Sequence, residues 1–158
     1  MKMDIIIRWA NDADREIVRE IAKLSWKDIF EGFKKQLGEE IYSTVYAEDP
    51  LEKKARDVEN SLNAGNCFVA ECDGKVVGFA TFVINGKVGM LSNNACVLRG
   101  HGIAGMLHER IFEEFSAHGC TVAGVMTGLD DAHAPARRAY EKDGFKNSIE
   151  TVTYYKEL

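Results

Sequence analysis

The sequence is short of several things at once, and each shortage removes a class of protein. Its four cysteines, Cys67, Cys72, Cys96 and Cys120, form no C-x-x-C pair. Three of them sit in apolar, strand-like settings, so reduced, buried thiols in a cytosolic protein are expected, and a disulfide or zinc framework is not. The four histidines fit no H-E-x-x-H or similar ligand spacing, so no metal is expected. No apolar run approaches the roughly 20 residues that span a bilayer. The opening MKMDIIIRWAND has a short apolar run but neither the long apolar core nor the small-residue cleavage site of a signal peptide. These two absences predict a cytoplasmic chain with no membrane partner. Positive charge is also in deficit: 20 Lys and Arg against 25 Asp and Glu, a net charge of −5. That argues against a nucleic-acid surface and is compatible with a cationic partner. No repeat, linker or low-complexity stretch interrupts the chain, so residues 1–158 are read as one domain, long enough to bury a sizeable core.

What is present centres on Leu91 to Phe115, LSNNACVLRGHGIAGMLHERIFEEF. It begins as a strand, passes through a glycine-rich turn and ends as a helix. Ile103, Met106, Leu107, Ile111 and Phe115 recur at helical spacing and give that helix one apolar face. Glycines at the mouth leave backbone N–H groups uncovered, and the first helical N–H groups have no internal partner. Such a corner attracts phosphate through its donors and the positive end of the helix dipole. Arg99 adds a forked cation. Three glycine motifs compete here. The Walker spacing of Gly100 and Gly105 fails because Met106 stands where its lysine must be. G-x-G-x-x-G is matched literally by Gly100, Gly102 and Gly105. A dinucleotide site, however, needs an acidic residue about 20 positions on, and Ala123 to Met126 is apolar. The third motif is R-x-x-G-x-A, Arg99 to Ala104.

The remaining chain reads in order. Ile5 to Trp9 is a β-branched strand. Asn11 caps the next helix with Asp14 in the capping-box position, and Ile17, Val18, Ile21, Leu24 and Ser25 supply its inward face. Trp26 to Glu48 reads as two short helices whose aromatics (Trp26, Phe30, Phe33, Tyr42, Tyr46) pack into the core and whose acids (Asp28, Glu31, Glu39, Glu40, Glu48) mostly form a solvated face; a mobile, acid-rich lid over a cleft for a cationic group is the competing reading. Asp49-Pro50 starts a helix buried through Ala55, Val58 and Leu62 and ended by Gly65. Cys67–Cys72, Lys75–Ile84 and Lys87–Cys96 form an antiparallel meander turned at Asp73-Gly74 and Asn85-Gly86. Gly78 marks a bulge or a close backbone approach. After the central helix come a buried strand, Thr121–Thr127, a helix from Pro135 to Asp143 closed by Gly144, and two last strands, Phe145–Ile149 and Thr151–Lys156.

This order, with R-x-x-G-x-A and the later run His133 to Phe145 (HAPARRAYEKDGF), resembles the GCN5-related N-acetyltransferase (GNAT) family from end to end. Tyr140, Glu141, Lys142, Gly144 and Phe145 match the family's Tyr-Glu-Lys-x-Gly-Phe. The resemblance implies an α/β (α+β) acyl-CoA N-acyltransferase fold: a mixed, mostly antiparallel sheet splayed at its central strands, with helices on both faces. It implies acetyl-CoA as cosubstrate and a small-molecule or peptide amine as acceptor, attacked directly in a ternary complex. The pyrophosphate would sit on Arg99, Gly100, His101, Gly102, Ile103 and Ala104. An N–H of Cys96 or Val97 would polarise the thioester carbonyl, and Tyr140 would protonate the leaving thiolate. Dimers are frequent in the family, which makes a homodimer an expectation.

Three departures are visible. The stretch before Arg99 lacks the usual proline and is compressed, so either Asn94 or, after a deletion, Cys96 takes the family's valine position; the deletion is preferred. His133 replaces a common asparagine, and could contact the cofactor, help deprotonate the amine, or cap the helix at Pro135. No carboxylate lies on Lys87–Cys96, leaving His133, Glu31, Asp130, Asp131 or water to accept the amine's proton. A non-catalytic acyl-CoA sensor and a dinucleotide-binding domain are the alternatives from other classes.

Overall fold

Two tight turns set the register of the sheet. In a computed structural model describing residues 2–158, β2 (Cys67–Cys72) and β3 (Lys75–Asn85) flank the two-residue loop Asp73-Gly74. Both loop residues have positive φ, 49° and 81°, as a type I′ turn requires. The second hairpin differs from its expected centre. Asn85 pairs with Val88 of β4 (Val88–Cys96), so the loop is Gly86-Lys87, with glycine at the first central position at φ 59°. That is the glycine-first hairpin turn. β1 (Ile5–Trp9) adds antiparallel to β2, and β5 (Val122–Val125) adds parallel to β4, giving the order β1-β2-β3-β4-β5. Gly78 answers to both expectations: the register shifts beside it, and a Cβ there would lie 2.9 Å from the Ala95 carbonyl.

The period-two alternation of the strands divides the core into two faces. Cys67, Val69 and Phe79 point to α1 (Arg15–Leu37) and α3 (Pro50–Asn63), against Val18, Ile21, Ala22, Val58 and Leu62. Phe68, Ala70, Ala80, Phe82 and Leu91 point to α4 (Ile103–Ala117), against Ile103, Leu107, Ile111 and Phe115. α5 (Ala134–Lys142) packs on that second face through Tyr140. Helices on both faces of a mixed, mostly antiparallel sheet are the architecture expected.

Several local expectations are corrected. α1 runs unbroken through Gly32 to Leu37, followed by α2 (Glu39–Val45), rather than stopping near Trp26. Gly32 faces open space, so its missing side chain costs helix propensity but no packing. Ile17 and Leu24 are exposed; the inward face of α1 is Val18, Ile21 and Ala22. Met106 is likewise on the outer side of α4. β5 is four residues long rather than seven and forms an edge, with Val122 56% exposed. Phe145–Ile149 and Thr151–Lys156 are not strands: the chain after α5 carries no ladder and is exposed from Lys146 to Leu158. An alternating sequence states a preference for a pleated surface, but a strand exists only where a neighbour takes up its hydrogen bonds.

The capping box at Asn11 forms as expected, on a 3-10 turn, Asp12–Asp14, that leads into α1. Asp14 does more than cap. Its buried carboxylate accepts from Arg8 Nη1 at 2.7 Å, Arg8 Nη2 at 2.9 Å and the Asn11 amide at 2.9 Å, tying β1 to α1. The Arg8 guanidinium, against the opposing effect of burial, holds this carboxyl below its ordinary 3.8. A carboxyl depressed in the folded state stabilises above its unfolded pKa and loses that contribution as pH falls through the folded one. Asp14→Asn should therefore lower stability by about 2 kcal/mol at pH 7. The difference should shrink in acid, where the wild-type carboxylate also protonates. Urea unfolding at pH 7 and pH 3 checks both halves.

Candidate active site

The parallel ladder between β4 and β5 covers Val88–Val122 to Leu91–Val125 and then stops. β4 continues without β5 for five residues, Ser92–Cys96, still paired with β3 on its other edge, while the chain beyond β5 turns away. The strands thus splay into a gap with an unpaired backbone edge along one side. Which amides face it follows from the other side of β4. The Val97 N–H donates to the Val77 carbonyl at 2.9 Å, and in an antiparallel ladder such pairs alternate. Ala95 therefore bonds toward β3, whereas the N–H groups of Asn94 and Cys96 point into the gap. Val97 is removed as a carbonyl-polarising donor, because the β3–β4 ladder extends one residue past Cys96. The Cys96 thiol itself turns back to the Leu98 carbonyl, and burial raises its pKa, so it is a poor nucleophile.

The glycine turn closes one end of the gap. Gly100 and Gly102 hold φ of 81° and 71°. Gly102 is the residue before α4 and offers no side chain to cap it. Among the described residues, no backbone carbonyl accepts from the amides of Arg99, Gly100, His101 or Gly102. Those of Ile103 and Ala104 open the helix and have no internal acceptor either. A diphosphate suits this set of uncovered donors, with Arg99 and His101 exposed beside it. The literal G-x-G-x-x-G does open a βαβ unit, β4-α4-β5, but β5 carries no acid and the rest of the sheet is an antiparallel meander.

On the α4–α5 side stands Tyr140, 7% exposed. Its hydroxyl accepts from Asn94 Nδ2 at 2.9 Å, which brings it to the unpaired stretch of β4. Burial pushes this phenol's pKa up; the Asn94 bond pulls it down and the Asp143 carboxylate pushes it up again. Behind it lies a fully buried His108, whose Nδ1 is 2.5 Å from Asp143 Oδ2 and whose Nε2 has no partner. Asn94 entered the sequence reading only as an alternative for a valine. Its side-chain partner lies 46 residues on, and no local spacing announces it.

On the α1 side stands His133, in a 3-10 turn (Asp131–His133) ahead of α5. It makes no side-chain capping bond, so the capping role is not realised. Its Nδ1 instead lies 2.5 Å from Asp130 Oδ1, and its ring faces Phe33 with centroids 6.5 Å apart. Arg137 Nη1 fastens the loop by donating to the carbonyls of Gly128 (2.7 Å) and Asp130 (2.8 Å). Gly128 is what lets the dyad form, since a Cβ there would collide with Asp130 Oδ1 and come within 2.6 Å of His133 Nδ1. Glu31 and Asp131 remain exposed. Phe30, Phe33, Tyr42 and Tyr46 pack together over this side. The acids of that region are partly spent: Glu39 pairs with Lys34 and Glu48 with Arg56. A concavity of about 360 Å³ between Trp9, Phe82, Ile84, Glu114 and His118 lies at the other end of the sheet, away from the gap.

A sheet opened between two parallel strands, with a donor-lined turn at one end of the opening, is the acyl-CoA N-acyltransferase architecture. The profile of the acetyltransferase (GNAT) family matches residues 26–145, three quarters of the chain, and the chain belongs to that family. It is accordingly an acetyl-CoA-dependent acetyltransferase. No curated protein matches it. Among solved structures, aminoglycoside N-acetyltransferase AAC(6')-Iy in complex with CoA is similar over 100% of this chain and 98% of its own, at TM-score 0.69 and 19% identity. The paia N-acetyltransferase of Thermoplasma acidophilum, in complex with coenzyme A, covers 90% of each chain at 0.70 and 19%. A GNAT family acetyltransferase of Brucella melitensis, with acetyl-CoA, covers 91% of this chain and 84% of its own at 0.63 and 18%.

Two substitutions separate the halves of the site. Gly102→Val forces a β-branched residue into a positive-φ position, so the turn must rearrange and acetyl-CoA binding should be lost in calorimetry while the fold survives. Gly128→Ala should leave acetyl-CoA affinity intact but drive Asp130 and His133 apart, lowering turnover in a thiol-release assay.

Proposed function

We propose that this domain, residues 1–158, moves the acetyl group of acetyl-CoA to a primary amine of a small molecule or peptide by direct attack in a ternary complex. The observation that carries the reading is the bond from Asn94, on the unpaired stretch of β4, to the Tyr140 hydroxyl; the Asp130–His133 pair, its ring facing Phe33 of α1, supports it from the helix on the sheet's other face. Arg99 to Ala104 would hold the diphosphate, and the arm of the carrier would lie along Ser92–Cys96, taking up its free backbone groups. The Cys96 amide, or that of Asn94 two residues earlier, would donate to the carbonyl oxygen as negative charge develops there.

The chemistry then divides between the two sides. His133, held by Asp130, would take the proton of an approaching ammonium, freeing the nitrogen lone pair. The C–N bond forms as the nitrogen adds to the thioester carbon. The C–S bond breaks as the carbonyl reforms, and Tyr140 gives its proton to the departing sulfur. The new amide nitrogen releases a second proton, and Tyr140 is reprotonated. Burial, by raising the phenol's pKa, keeps Tyr140 protonated at neutral pH, so its proton is in place when the sulfur departs. Holding amine and thioester together supplies much of the acceleration, so no cysteine need form an acyl intermediate. Burial pushes the Cys67 thiol to about 12 and raises those of Cys72 and Cys96, which supports inert thiols in a reducing compartment. The open outer edge of β5 and the unpaired segment after α5 support a homodimer.

Tyr140→Phe should lower kcat by about 100-fold with acetyl-CoA affinity nearly unchanged, and unaltered turnover would remove the tyrosine from the mechanism. His133→Gln should also lower kcat while Kd for acetyl-CoA holds. Thiol release over a panel of amines reads the turnover of both variants, and isothermal titration reads the affinities.

A further inference from the structure

The face of α3 that buries Ala55, Val58 and Leu62 also carries Lys54, one turn before Val58. The Lys54 side chain runs inward. Its Nζ donates to Asn93 Oδ1 at 2.9 Å and stands 4.9 Å over the ring of Trp26 on α1. Three elements thus converge on one half-buried ammonium. The other inward cations of these two helices all have carboxylates: Arg15 and Arg19 share Glu59, and Arg19 and Lys23 share Glu52. Even the exposed neighbour Lys53 pairs with Asp57. Lys54 has no carboxylate at ion-pair distance among the described residues. Burial lowers its pKa, with only the more distant Asp57 acting in the other direction. An amide oxygen and an indole face ease the desolvation of a cation without neutralising it.

The place of this charge gives it a use. Asn93 is the neighbour of Asn94, and successive residues of a strand face opposite ways. Asn94 turns to Tyr140; Asn93 turns to Lys54, on the α1 side, where His133 also lies. Lys54 sits over Trp26 and His133 over Phe33, seven residues further along α1. Two helical turns separate those rings by about 10 Å.

We propose that Lys54 receives a carboxylate of the acceptor, so that the preferred substrate is an amino-acid-type amine carrying its acid a few bonds from the nitrogen. This rests on acetyl transfer at the His133 side of the gap, as proposed above. The ammonium end would meet Asp130–His133 and the acid end Lys54, and a plain amine would leave the lysine without a counter-ion.

The test measures thiol release with β-alanine, 4-aminobutyrate and 5-aminopentanoate against their carboxamides, for wild type, Lys54→Met and Lys54→Arg. Wild type should favour the best acid over its amide by about tenfold or more in kcat/KM. Lys54→Met should bring the two to parity with acetyl-CoA affinity and activity on the amide retained, and Lys54→Arg should keep part of the preference. Equal use of acid and amide by wild type, or a preference that survives in Lys54→Met, overturns the proposal while leaving acetyl transfer standing. Binding is read separately, by Trp26 fluorescence in a Trp9→Phe background with CoA present. A response to the same acids that Lys54→Met abolishes supports the site even if none of them is acetylated. No response at millimolar acid overturns it.

Discussion

The whole arrangement depends on a hydrogen-bond ladder that stops early. Backbone N–H and C=O groups are obligatory bonding partners, and a strand that loses its neighbour in mid-sheet must find another acceptor or remain open to water. β4 loses β5 after Leu91 and continues for five more residues. On its other edge β3 stays with it past a bulge, where the Thr81 hydroxyl bonds the Asn93 backbone, through Cys96 and on to Val97. The strand is therefore rigidly held from one side and unmet on the other, which is the condition for a linear, amide-bearing ligand to complete the sheet. The glycine turn follows those five residues in the chain, and the tyrosine bonds to one of them.

The hairpins, to within a residue, the two proline-led helices and the glycine turn ahead of α4 were legible in the residues because each depends on chemistry within a few positions. Asp73-Gly74 needs positive φ, Pro50 and Pro135 sit in first turns, and Arg99 to Ala104 lie together in the chain. What was not legible depends on neighbours brought in from afar. The loss of Val97 as a donor follows from Val77, twenty residues upstream. His133 and Asp130 were separate candidates for the amine's proton; that they lie against each other depends on the room Gly128 leaves and on Arg137 fastening the loop. The C-terminal segment has the alternation of a strand and no neighbour to make it one. The continuity of α1 through Gly32 shows the opposite error, in which a local breaker is overridden by a long helix anchored elsewhere.

Charge illustrates the same limit. A surplus of acids near the lid suggested a cationic guest, yet Glu39 and Glu48 are matched by Lys34 and Arg56, and Glu52 and Glu59 clamp α1 to α3. Net charge reports the outside of the molecule. Among the described residues, the inward-facing Lys54 ammonium has an amide oxygen and an indole ring but no carboxylate at ion-pair distance, which a sum over residues conceals.

The His108–Asp143 contact has a consequence for the choice of carrier. It joins the helix that begins at the glycine turn to the residue capping the helix that bears the phenol, and it does so at the buried side of both, where slippage would leave polar groups unpaired. The span from corner to phenol is thereby fixed as a gauge is fixed. In the proposed mode of binding, a thioester on a shorter or longer tether would bring its sulfur to the wrong graduation, so carrier length is selected by the spacing of two helices and not by any residue that touches the tether.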